Sequence, residues 1–374
     1  MGEGQKRNLP CTCGSGKKYK RCCAIPDRSI HTTPPPSLRE MQLVKNSPAE
    51  RYLRLVPSVV NNGRRCRAVF NKICLRPEKE TFHEFLAKVV AWTLGGQWMR
   101  SQMSTPKAGR HPVGAWMQDF SDYRAAPRDY RREVIGGRDV HSAIAPSSVS
   151  NLLQLGYDFF CLQAIDRLPD HLVRRIKKSR TFPAARYEIA VSAIMARSGF
   201  AIDYIEDSGS QEKRCEFIAA HRTGGYKIGV EAKCRLRDPH VDPASYSYDE
   251  DYKGIANLVR KAKNQAPPGM PFVIFIDVNL PPSAGYSPRE RPWLPNIARA
   301  LDTFGPRSAA NPDPFSMLVA TNYGHLFGAI DDFDGRGEWG AMVPEFPMVP
   351  LPDRYIAQTI WDTVGRYANI PREV

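Results

Sequence analysis

The sequence predicts an α/β chain whose largest part is a mixed central sheet flanked by helices. Three observations predict it. From residue 181 onward, helix and strand signals alternate in the order α-β-β-β-α-β. Within that stretch, Phe272-Val273-Ile274-Phe275-Ile276 is the most hydrophobic run of the chain, as a strand covered on both faces requires. Ahead of it, apolar residues recur at helical spacing over 82–92 and 147–166, which predicts a mainly helical region before the sheet.

A chain of 374 residues suits two or three domains, and 42% hydrophobic with 25% charged residues is an ordinary globular balance. No apolar run approaches the ~20 residues of a membrane span. Residues 1–6 are polar, which argues against a secretory signal, and Lys6 stands where a myristoylation site needs Ser or Thr. A cytoplasmic protein is expected. The net charge of +14 favours a polyanionic partner, nucleic acid above all, although a basic pI also arises without a ligand.

Residues 1–24 hold almost no apolar side chains and need a metal staple to fold. Four of the nine cysteines fall here, as Cys11-Thr12-Cys13 and Cys22-Cys23, around Gly14, Gly16 and four lysines and arginines. Two close thiol pairs joined by a flexible loop can supply the tetrahedral soft ligands of structural zinc, with the glycines permitting the tight return. Metal binding is then most of the segment's folding energy. Redox-active or unpaired thiols are the alternative. The stretch resembles the SEC-C motif over Cys11 to Cys23, departing from it only at Cys23, where the family often has His. The resemblance implies zinc on Cys11, Cys13, Cys22 and Cys23 and an interaction role.

Residues 25–37 contain Pro34-Pro35-Pro36 and read as an extended linker. Residues 38–180 form the mainly helical region, punctuated by basic clusters at Arg64, Arg65 and Arg67, at Arg128, Arg131 and Arg132, and at Arg174, Arg175, Lys177, Lys178 and Arg180. Each cluster is either a solvated face or a nucleic-acid contact.

In 181–374 the expected elements are a helix over 184–198 ending before Gly199, a strand over 200–205, a strand pair over 215–220 and 226–234 around a glycine turn, and a helix over 249–265 stopped by Pro267-Pro268. A strand over 271–280, a strand over 315–321 and a closing helix over 354–367 follow. On the 226–234 strand, Ile228, Val230, Ala232 and Cys234 share one face, while Glu231 and Lys233 share the other. Glu216 lies in an apolar strand, which is costly unless it is paired or binds a cation. Glu188 has small or apolar helical neighbours and is expected to face inward. Three inward carboxylates and a lysine suit Mg²⁺ and the polarisation of a phosphoryl oxygen.

The segment from about 184 to 280 resembles the PD-(D/E)XK nuclease core, the restriction-endonuclease-like fold. Glu231-Ala232-Lys233 fits its (D/E)-x-K half-motif, and Glu216 fits the upstream acid, although that acid is usually Asp and Cys215 replaces the preceding Pro. The resemblance implies Glu216 and Glu231 as magnesium ligands, Lys233 as the residue orienting water, and Glu188 as an accessory acid. It more weakly implies Lys261, Lys263 and Gln265 as phosphate or water contacts. A buried Glu231–Lys233 ion pair without metal is the structural alternative.

Other chemistries are not indicated. The chain has no Gly-x-x-x-x-Gly-Lys-Ser/Thr loop, no His-Glu-x-x-His and no Gly-x-Ser-x-Gly. Asp331 to Gly335 fails EF-hand spacing and reads as a turn, and the histidines show no metal spacing. The expectation is a Mg²⁺-dependent endonuclease acting on DNA, serving restriction or defence, with the zinc motif as a targeting module. The alternatives are an inactive adaptor with a nuclease-like fold, binding nucleic acid or protein, and a subunit that cuts only with a partner.

Overall fold

The structure, a computed structural model, describes residues 55–371 except 56–57, 70–71, 126–130, 136–137, 143–144, 206–213, 223, 237–251, 281–289 and 324–337. The four clustered cysteines, the proline linker and the Asp331 to Gly335 turn lie outside the described residues. All described residues belong to one unit, Pro48–Val374. No helix among them is long and apolar enough to cross a membrane.

The described elements comprise nine α-helices and eleven strands. In order they are strands β1 Val59–Asn61, β2 Arg64–Val69 and β3 Lys72–Pro77, then helices α1 Phe82–Leu94, α2 Gly96–Ser104 and α3 Pro112–Ala125. The hairpin β4 Arg131–Ile135 and β5 Arg138–Ser142 comes next, then helices α4 Ser147–Ala164, α5 Asp170–Ile176 and α6 Phe182–Arg197. The sheet region has β6 Phe200–Tyr204, β7 Phe217–His221, β8 Lys227–Cys234, α7 Tyr252–Lys263 and β9 Phe272–Asp277. It closes with α8 Leu294–Asp302, β10 Met317–Asn322, β11 Glu338–Met342 and α9 Arg354–Gly365.

The main sheet has the strand order β11-β10-β9-β8-β7-β6. Strands β6, β7 and β8 form an antiparallel meander; β8, β9 and β10 are parallel, and β11 closes antiparallel. Helix α7 is the crossover between β8 and β9, as parallel neighbours need. The sheet is therefore mixed and flanked by helices, as the sequence predicts. On the central β9, Val273 and Phe275 enter one core with α6, while Phe272, Ile274 and Ile276 enter a second core with α7 and α8. Both faces of β9 are covered, which explains its unbroken apolar run.

The region expected to be mainly helical also contains two antiparallel sheets. β1–β3 escapes a period-2 reading because its pattern is inverted. Arg65 and Arg67 point inward and are buried, while Ile73 and Leu75 are exposed. Arg67 is tolerated inside because its guanidinium lies 5.3 and 5.1 Å from the Phe82 and Phe85 ring centres. Helix α1 starts at a capping box in which Thr81 and Glu84 satisfy each other's backbone N–H. One apolar core runs from α1 through α3 and α4 into α6 and β8, so it crosses the boundary expected at 180/181.

A buried polar cluster fixes α6 within that core. Arg186 and Asp158 are both 0% exposed and pair at 2.7 Å, while Tyr367 accepts from Arg186 at 2.9 Å and donates to Asp158 at 2.6 Å. A buried pair is tolerable only when closed by such additional bonds. Glu188 stands two residues beyond Arg186, so this cluster also sets the direction in which Glu188 leaves the helix.

Candidate active site

Antiparallel pairing of β7 with β8 brings the two strand acids together. Phe217 pairs with Val230, and the Glu216 N–H donates to the Val230 carbonyl at 3.1 Å. Glu216 thus lies at the mouth of β7, one register step from Glu231. Lys233 follows two residues later on the same face of β8. Its ammonium contacts Glu231 Oε1 and stands 3.4 Å from Glu216 Oε1. Glu231 is 0% exposed, and its Oε2 has no hydrogen-bond partner among the described residues.

Glu188 is buried on α6, as the sequence predicts. It is held by Arg175 of α5 through two parallel bonds, Nη1 to Oε2 at 2.5 Å and Nη2 to Oε1 at 2.7 Å. This fork is the strong bidentate form of an arginine–carboxylate pair.

The electrostatics follow from three acids sharing a half-dry site. Burial, then repulsion from Glu216, pushes Glu188 up to about 7 against the pull of Arg175. Burial, again followed by Glu216, pushes Glu231 up to about 8 against the pull of Lys233. At Lys233 burial works against the charge, but Glu231 and Glu216 override it and hold the ammonium above its ordinary value. Glu188 and Glu231 repel each other as well. The set holds three carboxylates and two cations, one negative charge in excess if all ionise.

Arg175, His171 and Tyr204 are neighbours that the sequence pattern does not place. His171 stands edge-on to Tyr204, with ring centres 6.1 Å apart. Burial, with Arg175 and Arg174, lowers the His171 imidazole, and burial raises the Tyr204 phenol. The signal for Arg175 is present as a basic cluster, but only the packing of α5 on α6 turns it toward Glu188.

The structure does not bring Lys261, Lys263 and Gln265 into this set. Lys261 is exposed and Gln265 half-buried. Lys263 lies 3.8 Å over the Phe304 ring, and burial followed by Arg307 lowers it to about 8. Lys261 and Lys263 end α7 and Gln265 follows it, before β9 begins, whereas Lys233 lies near the far end of β8.

Glutamate oxygens are the hard donors a magnesium ion takes, and the buried unpartnered Oε2 of Glu231 is a donor awaiting an acceptor. In kind, the residues fit the metal that the sequence implies. In arrangement, Lys233 and Arg175 already contact the acids, and the described residues hold no group of three or more ligating side chains set to grip an ion. No curated protein and no solved structure matches the chain. Residues 7–24 match the family model of the SEC-C motif, so the N-terminal cysteine segment is similar to that family.

Proposed function

We propose that this protein is a metal-dependent nuclease that hydrolyses phosphodiester bonds of DNA. The observation that carries the reading is the meeting of Glu216, Glu231 and Lys233 on paired strands, with a buried Glu231 oxygen left open. The order α6-β6-β7-β8-α7-β9 is the α-β-β-β-α-β succession in which the sequence resembles a PD-(D/E)XK core, and it supports the same reading.

Glu216 and Glu231 would hold Mg²⁺, with Glu188 as accessory acid, and the ion when bound would supply Lewis acidity to a phosphoryl oxygen. Lys233 presents a charged donor to the attacking water or to the oxygens of the phosphate, where negative charge grows. Arg175 holds Glu188 in place. The SEC-C motif would bind one zinc through Cys11, Cys13, Cys22 and Cys23 and act as a targeting or interaction module. Restriction or defence suits a nuclease with such a module, by family analogy alone.

A second reading is favoured by one observation: Lys233 pairs with Glu231 and Arg175 with Glu188, so both buried acids already have a cation of the chain beside them. That arrangement suits an adaptor that binds nucleic acid or protein without cutting, or a subunit that opens only with its partner. The test is a cleavage assay on plasmid DNA, single-stranded DNA and RNA with Mg²⁺, Mn²⁺ or EDTA, with Lys233→Ala alongside. Metal-dependent cutting that disappears in the variant supports the nuclease. Binding without cutting moves the assignment to the second reading. Equal cutting by both proteins means the site lies elsewhere.

A further inference from the structure

Residues 167–180 carry six arginines and lysines against the single acid Asp170, a net charge of +5. Elsewhere in the fold, some surface cations are paired: Arg76 and Lys88 with Glu80, Arg124 with Glu84, Arg307 with Asp313. In this segment only Arg175 is paired, with Glu188. Arg167, Arg174, Lys178 and Arg180 are exposed, Lys177 is half-exposed, and none of the five has an ion-pair partner among the described residues.

The segment is not a loose tail. Leu172 and Ile176 are 1% and 0% exposed in the main core, and Thr181 Oγ1 donates to the Arg175 carbonyl at 2.7 Å. Its cations are therefore displayed from a fixed element. That element abuts the carboxylates, since Arg175 grips Glu188 and Glu216 acts on the His171 imidazole. Unpaired cations on a rigid support are the electrostatic footprint of a phosphate backbone.

We infer that residues 167–180 form the track on which a nucleic-acid backbone lies as it enters the carboxylate cluster. The inference rests on the nuclease reading for its substrate, and adds where that substrate is held. Arg174, Lys177, Lys178 and Arg180 contact phosphates flanking the one that meets Glu216 and Glu231. Such contacts position the strand and carry no base specificity.

The test uses the full chain and a short fluorescent DNA duplex, with no divalent metal added, over a salt series. The track variant is Arg174→Gln/Lys177→Gln/Lys178→Gln/Arg180→Gln. The control, Lys107→Gln/Lys253→Gln/Arg354→Gln/Arg366→Gln, removes the same charge from exposed sites elsewhere. Neutralising one phosphate-binding cation lowers the slope of log K against log salt by about 0.9, so the slope of the track variant should fall by roughly 2–4 and its binding weaken at least about tenfold. The control should stay within about twofold. Equal losses in both variants mean that net charge alone acts, and overturn the track; so does no loss in either. Polyglutamate binding that falls in parallel with DNA binding also overturns it, because the segment then reads acidic protein. Cutting is measured on matched samples of the same proteins with Mg²⁺ added. Wild type that binds but never cuts sinks the nuclease reading and leaves the track standing, whereas a track variant that binds and cuts like wild type sinks the track alone. Wild type that binds no nucleic acid sinks both.

Discussion

Glu231→Gln tests the electrostatic account of the site through stability, without any assumption about substrate. Glu231 is 0% exposed and is held at about 8 against an ordinary 4.5. Between those values the folded chain keeps a proton that the unfolded chain releases, so this group lowers stability as pH rises from 4.5 to 8 and has no effect below 4.5. At about 1.36 kcal/mol per tenfold change in proton affinity, the difference sets a ceiling of roughly 5 kcal/mol at high pH. The variant forfeits the Lys233 ion pair, but Glu216 remains beside that ammonium. Urea unfolding of both proteins at pH 5.5, 7 and 8.5, without divalent metal, should show the variant gaining on wild type by about 1–4 kcal/mol across the range. Titrations away from the site are common to the two proteins and cancel in the difference, whereas those of Glu188 and Lys233, which interact with Glu231, shift with it. Parallel curves would refute the claim that Glu231 is a buried, repelled carboxylate. Adding Mg²⁺ at pH 8.5 should raise the wild-type midpoint and leave the variant's unchanged, because the ion would remove the same repulsion.

Other outcomes follow from the packing. Asp158→Ala strands the fully buried Arg186 and should cost about 3–5 kcal/mol in urea unfolding, while Asp362→Ala, at an exposed helix position, should cost less than about 0.5. Gly156→Ala puts a methyl 2.6 Å from the Leu86 carbonyl oxygen, where α4 crosses α1, and should cost about 1–3 kcal/mol in the same measurement. Native mass spectrometry should find one zinc per chain, absent from Cys13→Ser; a wild-type chain free of zinc would refute the metal reading of the SEC-C segment.

Much of the sheet was legible because its residues obey simple periods. The α-β-β-β-α-β order, the inward Glu188 and the shared face of Glu231 and Lys233 all follow from spacing, and each element lies within a few residues of its expected bounds. The failures have physical causes. β1–β3 puts arginines inside and isoleucine and leucine outside, with the rings of Phe82 and Phe85 lying against Arg67. The β4–β5 hairpin has a sequence signal, Gly136-Gly137 between its strands, that the helical expectation passed over. The Arg175–Glu188 fork joins two helices across 13 residues of chain, a pairing that no local period encodes. The ammonium of Lys263, which the resemblance more weakly implies as a phosphate or water contact, lies over Phe304, a packing between distant segments that the sequence does not announce.

Two buried ionic clusters in one protein allow a comparison that bears on function. Around Asp158, one carboxylate meets Arg186 and Tyr367 at short distances, far from solvent. Arg186 Nε has no hydrogen-bond partner among the described residues, but the carboxylate and the guanidinium balance in charge, and structural specificity accounts for the cluster. Around Glu231, three carboxylates share two cations, one oxygen of the most buried acid has no partner among the described residues, and Lys233 stays partly open to solvent. Repulsion of this kind costs stability in the free protein, and a Glu-to-Gln or Glu-to-Leu change would remove it. Packing therefore gives no reason for the third acid. A cation bound from solution gives one, because it would turn the excess charge from a cost into a contribution to binding, next to the basic track that would deliver a phosphate to it.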